Sequence, residues 1–158
     1  MEKSEKNFLE RFADAIPGLS GYRAREDRRA TDKRLRDYLA SRLDLVREKV
    51  GNAKLELTNR GQLAALNDIG LLDRKIQTIT ETIRFSSYGY SGFFDQVKIK
   101  EEQLDKLYTH DMKILGYVEE LEGDVSNSDL PVKKALDTVK TMEEALLERK
   151  NLWDTPSD

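Results

Sequence analysis

The chain has 158 residues, a net charge of −3, no cysteine and a single histidine, His110. That length suits one domain with a real core, and the missing cysteines exclude disulfides, thiolate zinc sites and cysteine nucleophiles. Charged residues (36%) nearly equal the apolar set (38%), and there are only nine glycines and three prolines, a balance that predicts long amphipathic helices and an all-α fold.

The first element in chain order is a short helix from Ser4 to Ile16, where Phe8, Leu9, Phe12, Ala13 and Ile16 recur at helical spacing and Pro17-Gly18 stops them. Its opposite face mixes acids and lysines, so it suits docking on protein better than on anionic lipid. The segment lacks the apolar core of a signal peptide, and no run approaches the roughly 20 apolar residues that span a bilayer. A soluble, cytoplasmic protein is expected.

After the linker PGLSGY, a helix is predicted over 23–57. From Leu35 its apolar positions are Leu39, Leu43, Val46, Val50, Ala53 and Leu57, in steps of 4, 4, 3, 4, 3 and 4, which keeps one stripe facing one partner. Asn59-Arg60-Gly61 marks a turn. The next seam, Ala65, Ile69, Leu72, Ile76, Ile79 and Ile83, steps by 4, 3, 4, 3 and 4. Leu63, Leu66, Leu71 and Phe85 are expected to widen that stripe towards a second neighbour.

The stretch SSYGYSGFFD, Ser86 to Asp95, breaks this helix. A further helix is predicted over 100–122, with Leu104, Leu107, Tyr108, Ile114, Leu115, Val118 and Leu121 inward, then an acidic turn over 123–129. The last helix takes Asp129 as N-cap and Pro131 in its first turn, with Val132, Leu136, Val139, Met142, Leu146 and Trp153 as its seam. The expected fold is thus a four-helix bundle of long amphipathic helices with a short N-terminal helix, coiled-coil-like in its spacing. In domain terms, residues 1–22 hold the short helix and linker, 23–154 the bundle, and 155–158 a loose tail.

Three features could carry function. The aromatic cluster Tyr88, Tyr90, Phe93 and Phe94 fits a plug at the end of the bundle or a contact surface. It does not fit a base-stacking motif, which needs a strand context and interleaved basic residues. Second, Arg23, Arg25, Arg28, Arg29, Lys33, Arg34 and Arg36 could contact a polyanion, nucleic acid or acidic lipid. Glu26, Asp27, Asp32 and Asp37 interleave with them, however, which favours a solvated or intersubunit salt-bridge face. Third, Asp111 falls on the inward stripe, where a buried carboxylate needs a partner; Tyr88, Tyr90 or Arg84 could reach it.

Catalytic and metal signatures are missing from the sequence. A di-iron bundle needs two Glu-x-x-His motifs, and with one histidine, preceded three residues earlier by Leu107, that site is excluded. No GxxxxGK[ST], GxSxG or HExxH motif occurs. No cofactor or metal is expected, and an enzyme is not. Residues 1–60 carry +4 and residues 61–158 carry −7, an asymmetry that could steer partners or subunits.

The stretches IPGLSGYRAREDRRATDKRLRDYLASRL and YGYSGFFDQVKIKEEQLDKLYTHD resemble a family of small all-helical bacterial proteins without an assigned activity. The resemblance covers under half the chain and implies a bacterial, cytoplasmic origin but no site residues. The function expected from the residues themselves is a non-enzymatic scaffold or adaptor working through protein–protein contacts, as a homodimer or larger assembly. Its contact surface would comprise Phe8, Phe12, Ile16 and the aromatic cluster. Polyanion binding through the Arg-rich segment is the alternative.

Overall fold

The structure is a computed structural model that describes residues 28–85 and 101–154, with side-chain surroundings for 33–85 and 109–148. Among the described residues there are four α-helices and no strand: α1 Arg28–Asn59, α2 Leu66–Phe85, α3 Glu101–Val125 and α4 Val132–Asp154, with one 3-10 turn, Leu63–Ala65, before α2. The predicted N-terminal helix, the linker with Arg23 and Arg25, the aromatic cluster Tyr88, Tyr90, Phe93 and Phe94, and the tail lie outside the described residues. So do the side chains of Arg28, Arg29, Leu104, Leu107, Tyr108 and Trp153.

The seam of α1 forms because its apolar positions alternate by four and three, so all of them fall on one side of a 3.6-residue helix. Leu35, Leu39, Leu43, Val46 and Val50 are buried, while Ala53 and Leu57 are half-buried where the seam nears the helix end. The helix stops at a Schellman arrangement: Gln62 N–H donates to the Leu57 carbonyl at 3.0 Å and Gly61 N–H to the Thr58 carbonyl at 3.1 Å. Gly61 has φ +69°, the left-handed conformation that glycine adopts without steric cost. The turn therefore reverses the chain where the sequence signalled it.

In α2, Ile69, Leu72, Ile76, Ile79 and Ile83 are all buried against α1 and the rest of the core. The stripe is narrower than expected, because Leu63, Leu71 and Phe85 are exposed and only Leu66 packs against the core. The reason is positional: α2 packs on α1 and on α4, and its third side faces outward.

The second pair starts differently from the sequence expectation. α3 continues through Gly123 and Asp124 to Val125, a turn further than expected, with Asp124 and Val125 both buried. α4 does not begin at an Asp129 cap. Asp129 is exposed in the bend, and the first helical bond runs from Ala135 N–H to the Pro131 carbonyl at 2.9 Å; proline is tolerated there because its missing N–H would have no partner anyway. The inward face of α4 also includes Ala135, Thr138 and Ala145, all buried beside Val139 and Met142.

α1 packs on α2 and α3, and α4 packs on α3 and α2. Polar ties give the directions. Arg47 meets Asp73 and Arg84 meets Asp44, so α1 and α2 are antiparallel. Arg42 meets Glu122 and Lys49 meets Ser126, so α1 and α3 are parallel. Lys134 meets Asp124 while His110 meets Ala145, so α3 and α4 are antiparallel. The turns after Asn59 and Val125 therefore share one end. Arg28, Phe85, Glu101 and Asp154 lie at the other.

Core and outward leucines on the same helix provide a direct check of this arrangement. Leu43→Ala, at 0% exposure, is expected to cost about 2–5 kcal/mol, whereas Leu45→Ala, at 59%, should stay within about 0.5 kcal/mol. Urea midpoints at constant slope measure both.

Candidate functional site

Of the Arg-rich segment, the side chains of Lys33, Arg34 and Arg36 are among the described residues. Lys33 and Arg34 are exposed. Arg36 instead turns across to α2, where its Nη1 donates to the Arg84 carbonyl at 3.1 Å. That carbonyl lies in the last turn of α2, where carbonyls lack intrahelical donors and a positive charge offsets the helix dipole. Arg36 thus caps a neighbouring helix.

Further along α1, cations missed by the sequence reading tie the helices together. Arg42 grips Glu122 of α3 through both Nε, at 3.1 Å, and Nη2, while its Nη1 donates to the Tyr38 hydroxyl at 3.1 Å. Its guanidinium also lies 5.3 Å from the centre of the Tyr38 ring, a cation–π distance. Arg47 Nε reaches Asp73 of α2 at 3.0 Å. Each sits beside the seam, at a spacing that hydropathy alone does not distinguish from solvated charge.

Arg84 is half-buried, and its Nη2 donates to Asp44 Oδ2 at 2.6 Å. It belongs to the α1–α2 boundary. Asp111 is buried, at 3% exposure, and is not without an interaction. Beside it in sequence, His110 is also buried, and its Nε2 donates to the Ala145 carbonyl of α4. Burial holds the His110 imidazole below the ordinary histidine pKa; Lys113 adds to this, and the Ala145 carbonyl and Glu148 oppose it. Because a carbonyl oxygen can only accept, the geometry places a proton on Nε2.

At the opposite end of α3, Asp124 is buried with Oδ1 at 2.9 Å from Lys134 Nζ, and its Oδ2 has no hydrogen-bond partner. The hydrogen bond to Asp124 holds Lys134 above the usual lysine value. Buried Thr80 donates to the Ile76 carbonyl at 2.7 Å, and Thr138 to the Lys134 carbonyl at 3.1 Å. Among the described residues no group of three His, Cys, Asp or Glu side chains could hold a metal ion. No helix among them is long and apolar enough to cross a membrane.

The remaining feature is apolar and outward. Leu45, Leu55, Leu63, Leu71, Phe85 and Leu147 are exposed large side chains. Compared with protein-family models, curated proteins and solved structures, the chain finds no match.

The buried histidine implies an acid-side loss of stability. His110 binds its proton more weakly folded than unfolded, so the unfolded state gains protons first and stability falls with pH between the ordinary histidine value and the lower native one. His110→Gln, which keeps a donor for the Ala145 carbonyl, is expected to remove that part of the pH dependence, as read from urea midpoints on either side of the window.

Proposed function

We propose that the chain is a non-enzymatic helical scaffold or adaptor that acts through protein–protein contacts, its four long helices forming a four-helix bundle, and that it self-associates. One observation carries this: the seams of α1 and α2 are closed into a common core while Leu45, Leu55, Leu71, Phe85 and Leu147 point outward. Exposed apolar side chains beyond what a core needs are what association surfaces require. His110 and Asp124 link α3 to α4, Thr80 and Thr138 bond their own helices, and Asp124 Oδ2 is the one buried side-chain atom among the described residues without a hydrogen-bond partner.

Polyanion binding through the Arg-rich segment is less well supported, because Arg36 is committed to the end of α2. A cytoplasmic, bacterial setting accords with the family resemblance of the two quoted stretches and with the absence of cysteine.

Sedimentation velocity across a concentration series, at low and moderate salt, separates the two roles when combined with binding to duplex DNA and to vesicles containing anionic lipid. The expected result is association that persists as salt rises, with no polyanion binding. Polyanion binding that falls steeply with salt and disappears in an Arg25→Glu, Arg28→Glu, Arg29→Glu variant would overturn the scaffold role.

A further inference from the structure

The outward side of α2 has a pattern that the other exposed faces lack. Leu71, Thr78 and Phe85 are spaced by seven residues, and since a helix drifts only about 20° per heptad they share one face. All three are exposed, Leu71 at 37% and Phe85 at 67%. Thr78 donates its hydroxyl to the Arg74 carbonyl at 3.1 Å, and neighbouring Thr82 donates to the Thr78 carbonyl at 2.8 Å. With their hydroxyls bonded to their own helix, both threonines have that polar group satisfied without water. By contrast, Leu45 and Leu55 of α1 are ten residues apart, which places them roughly 80° apart around the helix.

Charge on the same side of α2 is unspent. Asp73, Lys75 and Arg84 are tied to Arg47, Glu143 and Asp44 of the neighbouring helices. Arg74 and Glu81 are exposed and form no ion pair among the described residues, Glu81 accepting only from Gln77 Nε2 at 3.3 Å. They too are seven residues apart and so share one flank of the Leu71–Thr78–Phe85 face.

We propose that this face of α2 docks a second copy of the chain, with the two α2 helices antiparallel about a two-fold axis beside Thr78. The proposal rests on the protein-contact role above and names its partner and surface. A two-fold axis there exchanges positions equidistant from Thr78, so Leu71 of each copy meets Phe85 of the other and the two Thr78 methyls meet each other. In an antiparallel pair a flank faces the same flank of its partner. Arg74 and Glu81, four and three residues from Thr78, then come opposite one another with an axial offset of about 1.5 Å, which long side chains span, giving two Arg74–Glu81 pairs. A parallel pair sets opposite flanks together and leaves both charges unmatched.

The symmetry identifies the occupant. A face whose apolar and charged positions are complementary under inversion of its own direction is an isologous surface, whereas a different protein would require no such relation. One positive and one negative side chain along the flank of the face suit neither a phosphate backbone nor an anionic lipid surface.

Two measurements on the full chain test this. Because the chain has no cysteine, spin labels can be placed singly at Thr78→Cys, Leu71→Cys and Phe85→Cys. The interlabel distance is expected to be shortest at 78 and to gain an axial separation of about 21 Å at either flanking site, from about 1.5 Å of rise per residue doubled by the two-fold. In sedimentation equilibrium, Arg74→Glu alone and Glu81→Arg alone should each weaken dimerisation roughly tenfold, and the double exchange should restore it. Circular dichroism spectra of the dilute monomer should be unchanged throughout, since neither charge has an ionic partner among the described residues. A chain that stays monomeric at every concentration, or a dimer whose labels at 78 are no closer than those at 71 and 85 and whose affinity ignores the charge exchange, would overturn the proposal. A chain that stays monomeric would also remove the self-association proposed above, whereas a dimer with other label distances would leave self-association and the scaffold role standing; salt-steep polyanion binding is what overturns that role.

Discussion

The dry contact between the α1 and α2 seams is the constraint on which the other features depend. Leu39, Leu43, Val46 and Val50 meet a helix whose inward positions are Ile69, Leu72, Ile76, Ile79 and Ile83, all but fully buried. Burying one such side chain contributes about 1.5–3 kcal/mol, whereas an exposed ion pair is worth about 0.2–1 kcal/mol. The seams therefore provide the cohesion. Arg47–Asp73 and Arg84–Asp44 line the edges and select direction and register, because sliding either helix by one turn would bury nearly as much hydrocarbon while separating the charges.

The α3–α4 pair achieves register by another route. Its buried side chains include small ones, Ala135 and Ala145, with Thr138 beside them. Apolar burial of alanine specifies position weakly, since one alanine is much like another. The two polar links, His110 to the Ala145 carbonyl and Asp124 to Lys134, lie near opposite ends of the contact and fix it. Such groups cost free energy to bury and lose more if misaligned, so they penalise every register but one.

The helices and two of their seams were legible in the sequence because leucine and isoleucine at alternating steps of three and four admit few other readings. Three things were not. Asp124 and Val125 read as a turn because acid, glycine and serine cluster there, yet a lysine on the facing helix makes the acid acceptable inside. Ala135, Thr138 and Ala145 give little hydropathy signal, yet all three are buried. Leu71 and Phe85 read as core because hydropathy records what a side chain is and not which sides of its helix have neighbours. In the Arg-rich segment, no local pattern marks Arg36 as the cap of a helix nearly fifty residues away.

That cap bears on how the charge asymmetry of the chain should be understood. The first 60 residues carry +4 and the remainder −7, which in an unfolded chain would suggest a basic arm seeking an acidic partner. In the fold, α1 lies between helices that supply Asp73 and Glu122 to its Arg47 and Arg42, and a C-terminal carbonyl to its Arg36. Much of the positive charge of α1 is thus answered inside the same molecule, and its potential is short-ranged at physiological ionic strength. Among the described residues, what stays outside these pairings is local: a few outward leucines, a phenylalanine, and Arg74 and Glu81 on α2. Binding by such a surface would depend on shape and on the order of residues along a helix rather than on net charge, as the protein-contact role proposed above requires.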